Sequence, residues 1–237
     1  MEKSSIIEIN NLVKRFPVGG GFFTALDHIN LSISKGEFTG IVGPSGSGKT
    51  TLLNILGSLD VPSEGEATVL GNRISTLSHK QAAQLRNGHI GFIFQTYNLL
   101  PVYTVYENVE FPLLLLKMPA KEREKAVLEA IEWVGLNDKI KSRPAQLSGG
   151  ESQRVAIARA MVKKPEIVLA DEPTANLDSE NSHHILRTME QLNNELKTTF
   201  IFATHDEKVM SYLKRIIRLE DGKVAKDDWK EVKEVAS

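Results

Sequence analysis

Phe38-Thr-Gly-Ile-Val-Gly43-Pro-Ser-Gly-Ser-Gly48-Lys49-Thr50-Thr51 is the stretch on which the fold turns. Phe38–Val42 is a short apolar run and predicts a strand. Gly43, Pro44, Ser45, Gly46, Ser47, Gly48, Lys49 and Thr50 match G-x-x-x-x-G-K-[ST] in full. Leu52, Leu53, Ile55 and Leu56 follow at helical spacing, so a helix is expected from near Gly48. Glycines let the backbone curl until its N–H groups converge on phosphate oxygens. The helix N-terminus adds the positive end of its dipole. Lys49 can then reach the outer phosphates, and the Thr50 hydroxyl can ligate Mg²⁺. A Gly/Ser turn with a chance lysine would not be framed by a strand and a helix.

Working outward, Ile167–Ala170 is a second apolar strand, and it ends in Asp171 and Glu172. Two acids after a strand are commonly a helix N-terminal charge pair. Beside a phosphate loop they supply what phosphoryl transfer needs: Asp171 on the metal side and Glu172 on the attacking water. Gln95 follows the apolar run Ile90–Phe94, and His205 follows Thr199–Ala203. Both are expected at C-terminal strand ends, where open α/β sheets bind ligands. Gln95 can touch the metal or the water there, and His205 can hydrogen-bond the γ-phosphate. A strand-end Gln or His is often satisfied locally, so neither is decisive alone. His28, His79, His89, His183 and His184 read as surface or packing residues.

The rest of the chain divides by pattern. Ile7, Ile9 and Leu12 begin a strand, and Leu26–Ile33 alternates as another. From Thr104 to about Val134 the pattern is helical, with Pro101, Pro112 and Pro119 expected to break it into pieces. A helix is expected from about Ser179 to Leu196, and a last strand near Arg215–Leu219 turning at Asp221-Gly222. Asp227–Ser237 reads as a charged helix or a frayed tail. The expected layout is one domain: 1–95 and 160–237 as an α/β core, and 96–159 as an inserted helical lobe.

The 237 residues carry a formal net charge of -1, with 41% hydrophobic and 25% charged residues. This is ordinary globular composition, and nothing in it favours a nucleic-acid partner. There is no cysteine, which excludes disulfides, Cys-ligated zinc and a thiol nucleophile. The longest apolar stretch, around Phe111–Leu116, is far short of the roughly 20 residues of a membrane helix. The N-terminus has no signal-peptide core. The expectation is a soluble protein with any membrane role exerted through a partner.

Leu147-Ser148-Gly149-Gly150-Glu151-Ser-Gln153 opens another helix. Ser148 and Glu151 are spaced as a capping box. Ser148 with two glycines at a helix start is also a second anion nest. With this segment the set is complete. Gly43–Thr50, Gln95, Leu147–Gln153, Ile167–Glu172, Asn176-Leu177-Asp178 and His205, in that order, resemble the nucleotide-binding subunits of ABC transporters over essentially the whole chain. The resemblance implies a P-loop NTPase core with an N-terminal antiparallel β subdomain and an inserted α-helical subdomain. It implies ATP and Mg²⁺ as ligands, and two subunits pairing head to tail as a homodimer on ATP binding. Glu172 would be the general base. Ser148, Gly149, Gly150 and Glu151 would meet the nucleotide held by the opposite subunit, and Asp178 would couple the two sites. Phe16 aligns with the aromatic that stacks on adenine, although Phe22 and Phe23 lie near it. Thr51 extends the phosphate loop.

The resemblance has departures. The segment reads LSGGE where LSGGQ is frequent, and Ala175 replaces a common glycine. No key catalytic residue is missing. Gly40–Lys49, Phe92–Pro101 with Thr104–Val109, and Leu169–Asp178 resemble one branch, the ATPases of lipoprotein-releasing, macrolide-exporting and division-associated systems. That branch implies an integral membrane permease docking at Tyr97–Tyr103, where Tyr97 and Tyr103 are expected as exposed aromatics. The chain would be cytoplasmic, peripheral on the inner face of the cell membrane. Two other functions stay open: a soluble ABC-type ATPase in DNA or translation work, and a regulator of a membrane partner without transport.

Overall fold

The burial of the strands separates two sheets. The computed structural model describes residues 5–230. The chain runs β1 (Ser5–Val18), β2 (Gly21–Ser34), β3 (Phe38–Val42), α1 (Lys49–Leu56), β4 (Glu64–Val69), β5 (Asn72–Arg73), α2 (His79–His89) and β6 (Ile90–Phe94). It continues through α3 (Val105–Leu115), α4 (Ala120–Trp133), α5 (Gly149–Met161), β7 (Ile167–Asp171), α6 (Ser179–Leu196), β8 (Thr199–Thr204), α7 (Glu207–Tyr212), β9 (Arg215–Glu220) and β10 (Lys223–Trp229). Every residue of β3 and β8 is buried, as expected of strands covered on both faces. They lie inside a six-stranded sheet of order β10-β9-β3-β8-β7-β6, parallel except for the edge strand β10. β2-β1-β4-β5 form a separate antiparallel sheet.

Two cores lie on opposite faces of the six-stranded sheet, and strand alternation assigns residues to each. In β8, Phe200 and Phe202 join the core that holds α3, α4, α5 and α6. Ile201 and Ala203 join the core that holds α1 and the antiparallel sheet. Phe38 packs edge-on to Phe202 at 4.8 Å and tilted to Phe200 at 5.6 Å. The helical lobe therefore has no core of its own, because it shares one with the sheet. The expected boundary at 159/160 also falls inside α5. Among the described residues no helix is long and apolar enough to cross a membrane.

Three sequence expectations need correction. Pro112 does not break the chain but lies inside α3. A proline in a helix interior costs about 3 kcal/mol. Burial of Val105, Val109 and Leu113, at about 1.5–3 kcal/mol each, outweighs it. Thr104 and Glu107 add a capping box, and Asn108, fully buried, ties the preceding loop through Leu100, Tyr103 and Thr104. Residues 227–229 are neither helix nor tail; they complete β10. Its Asp227 is satisfied at long range. The Arg215 guanidinium donates two bonds to Asp227 at 2.8 and 2.6 Å and one to Glu37 at 2.9 Å. The remainder of that predicted tail, 231–237, lies outside the described residues. Tyr97 is half-buried, whereas Tyr103 is exposed as expected.

Candidate functional site

The loop after β3 is shaped by close backbone passage. A Cβ on Gly43 would come 2.1 Å from the Leu219 carbonyl oxygen, so only glycine lets the loop cross the end of β9. Gly48 has φ 102°, caps α1, and contributes no side-chain hydrogen bond. The first amides of α1 are thus left without a capping group. The Ser47 hydroxyl is buried with no partner. Lys49 folds back over the loop and donates to the carbonyls of Gly43 and Pro44 at 2.8 and 2.9 Å. Orphaned donors with a lysine bound only to neutral carbonyls are the chemistry of an anion site.

A cavity of about 540 Å³ opens on this loop. It gathers Phe16, Ser45, Gly46, Gly48, Lys49, Thr50, Thr51, Gln95, Asp171, Glu172 and His205 from five separate segments. Gly43, Pro44 and Ser47 support the loop from outside that lining. The residues missed by sequence are Phe23 and Ala25 in the lining, and Thr204 behind it. Thr50 donates to the Asp171 carboxylate at 3.0 Å. Burial raises the Asp171 pKa, with the Glu172 charge adding to it; the Thr50 bond and Lys49 act in opposition. Glu172 adopts φ 45° and its N–H donates to the Ala203 carbonyl at 2.9 Å. Its carboxylate accepts from Thr204 at 3.0 Å and lies 2.6 Å from His205 Nδ1. The acid is thereby fixed at the cavity edge on two sides.

Among the described residues no group of three or more His, Cys, Asp and Glu is arranged to hold a metal ion. Thr50 and Asp171 nevertheless put two oxygen donors together, with Gln95 on the same cavity. A partial set of oxygen donors suits Mg²⁺, which keeps waters and substrate phosphate oxygens in its shell.

Ser148, Gly149, Gly150, Glu151 and Asp178 do not line the cavity. Ser148 caps α5: Glu151 N–H donates to the Ser148 hydroxyl at 3.2 Å, and Ser148 N–H to the Glu151 carboxylate at 2.7 Å. This backbone bond is the main reason the Glu151 pKa is lowered. Ser148 and Gly149 are exposed. A Cβ on Gly149 would come 3.1 Å from the Tyr97 hydroxyl, and one on Gly150 would come 2.6 Å from Asn181 Oδ1. Asp178 caps α6 and accepts from the Asn181 amide N–H at 2.8 Å. Two long-range bonds, one buried and one exposed, join this region to the cavity, and neither is visible in sequence. Gln153 Nε2 donates to the Pro173 carbonyl at 2.7 Å, and Asn176 Nδ2 to the Gln95 carbonyl at 2.9 Å.

The ABC transporter family profile matches residues 26–175. The chain is 46% identical over 220 residues to a lipoprotein-releasing system ATP-binding protein, LolD, of Francisella tularensis, covering 92% of this chain and 95% of that protein. It is 45% identical over 222 residues to a macrolide export ATP-binding/permease protein, MacB, of Burkholderia pseudomallei; these cover 94% of this chain and 34% of that protein, so the chain spans about a third of its length. Among solved structures, a dimeric post-hydrolysis state of an ATP-binding cassette bound to ADP and Pi superposes with a TM-score of 0.87 at 41% identity, covering 94% of this chain and 98% of that one. With the profile spanning most of the chain and these identities beside it, the chain belongs to the ABC transporter family and carries its ATP-binding, ATP-hydrolysing cassette.

Proposed function

We propose that this cassette binds ATP in the 540 Å³ cavity and hydrolyses it as one half of a head-to-tail pair that drives a membrane permease. One observation carries the reading. The phosphate loop, Thr50, Asp171, Glu172 and His205 converge on one cavity, while the glycine-rich segment Ser148–Gly150 stays outside it, with Ser148 and Gly149 exposed. Lys49 and the uncapped α1 amides neutralise the outer phosphates. Phe16 carries the base. Glu172, held by Thr204 and His205, orients the attacking water and accepts its proton. Thr50, Asp171 and Gln95 are the residues that would hold Mg²⁺, which when bound supplies charge neutralisation on the phosphate oxygens. Ser148–Gly150 and Asp178 of a second copy close over the nucleotide, and that differential contact shifts the open–closed equilibrium.

The permease reading is supported by a groove of about 550 Å³ lined by Leu59, Phe92, Leu100, Phe111 and Leu115 among others. Of the predicted docking stretch, Asn98 and Leu100 line this groove, while Tyr97 turns toward Gly149. Arg159 donates to the carbonyls of Tyr97 and Asn98 at 2.7 and 2.6 Å, tying the groove wall to α5. Motion of α5 is thereby passed to whatever occupies the groove. The LolD and MacB likenesses favour lipoprotein release or export as the output, from the inner face of the cell membrane. The test is Glu172→Gln. The variant should keep ATP binding, lose turnover by about 10²–10⁴-fold, and run as a dimer on size exclusion with ATP. Near-native turnover would remove Glu172 from the role of base.

A further inference from the structure

The β1–β2 hairpin brings two phenylalanines to the cavity. Phe16 stands directly opposite Phe23 in the antiparallel register, so both side chains leave the same face of the hairpin. Both line the cavity with the phosphate loop. Phe22, paired with Pro17, leaves the other face, is 74% exposed and takes no part in the lining.

The Phe16 ring has a built support. The Lys14 ammonium lies 5.0 Å from its centroid. That ammonium is itself held by the Asp60 carboxylate at 2.6 Å and the Val61 carbonyl at 2.9 Å. One face of Phe16 is therefore backed by a clamped cation, which fixes the ring and leaves the other face for a planar ligand. The hairpin contributes only Phe16, Phe23 and Ala25 to the lining. It offers no hydrogen-bonding side chain that would read the edge of a base.

Resting on the nucleotide reading above, we infer that Phe16 and Phe23 form a two-ring shelf on which Phe23 selects purine over pyrimidine triphosphates. Opposed residues in an antiparallel pair have Cβ atoms about 4.5–5.5 Å apart, so the shelf is wider than a single ring. A pyrimidine lies on Phe16 alone. A purine extends its second ring toward Phe23 and gains additional stacking area. Stacking uses the π-face that every base has, and so it does not separate adenine from guanine. Phe23 is thus a specificity-determining residue, and Lys14 with Asp60 are positioning residues for Phe16.

The experiment is calorimetric binding of ATP, GTP and CTP to the full chain without added divalent cation, so that no nucleotide is consumed. The intact chain should bind ATP and GTP within about twofold of each other, and CTP about tenfold more weakly. Phe23→Ala should weaken ATP and GTP by about five- to tenfold and leave CTP nearly unchanged, while Phe23→Trp restores the preference. Phe22→Ala on the opposite face should change nothing. Equal affinity for ATP and CTP in the intact chain, or an equal loss for all three in Phe23→Ala, would overturn the shelf. If no triphosphate binds, or binding survives Lys49→Ala unchanged, the nucleotide reading itself fails. Binding that depends on Lys49 with a base preference that ignores Phe23 sinks only the shelf.

Discussion

Two helix N-termini, those of α1 and α5, use similar ingredients to opposite effect. Both begin in glycine-rich sequence next to a serine or threonine. α1 is capped by Gly48 in a left-handed conformation with no side-chain bond, inside a cavity with a lysine and two acids. α5 is capped by Ser148 and Glu151 reciprocally, and its start is exposed. The first end leaves its donors for an anion brought by a ligand. The second satisfies one of its donors within its own chain and is a stable surface feature before any ligand arrives. A complete capping box is therefore no argument against a binding role. In the proposed pair it keeps α5 ordered, with Ser148 and Gly149 exposed to a phosphate that the second chain would present.

The largest expected effect is at the uncapped end. Lys49→Ala removes the lysine that folds over the loop and should lower turnover by at least about 10²-fold, with ATP affinity falling in parallel in a binding titration. A variant that still turned over ATP would erase the distinction between the two ends. Next comes Ser148→Arg, which puts bulk and positive charge on the exposed cap. It should lower turnover by about 10²-fold while the single chain keeps its ATP affinity in calorimetry. Lost affinity in the single chain would mean that the segment works within its own subunit.

The smallest effect concerns the far side of α5. Lys163 donates to the carbonyls of Arg86 and Asn87 at 2.6 and 2.8 Å, and burial pushes its pKa down to about 8, with Glu166 opposing. Its folded pKa lies below the unfolded value of about 10.4. Between those values the unfolded chain binds the extra proton, so this group makes stability rise with pH across that window. Below it, both states are protonated and the slope disappears. Urea titrations from pH 7 to 10 should show the rise in the intact chain and a flatter profile in Lys163→Met. An unchanged slope in the variant would assign the rise to other groups.

What the sequence exposes and what it hides follow from how far apart the interacting residues lie. The phosphate loop, the acid pair and the capping box are contiguous, so spacing alone carries their geometry. α6, Ser179–Leu196, matches its expected span of about Ser179 to Leu196 because Asp178 caps its start and its apolar face repeats. Phe23 could not be chosen over Phe22, because only the register with Phe16 decides which ring faces the cavity. The end of β10, from Asp227, reads as a tail because an edge strand exposed on both faces has no apolar alternation, and its order rests on Arg215 and Glu37. Pro112 misled because a local penalty was outweighed by burial that local sequence does not show. The bonds Gln153–Pro173 and Asn176–Gln95 span 20 and 81 residues, and no motif spacing announces them.

In the proposed pair one nucleotide is held by the loop of one chain and the Ser148 segment of another. The most direct test mixes two inactive chains, Lys49→Ala and Ser148→Arg, and measures ATP turnover. In a mixed head-to-tail pair one composite site joins the intact Lys49 of one chain to the intact Ser148 of the other. The mixture should regain activity well above the sum of its two components. A mixture that stays at that sum, with mixed pairs verified by differential tagging, would contradict that pairing and put both groups to work within a single chain.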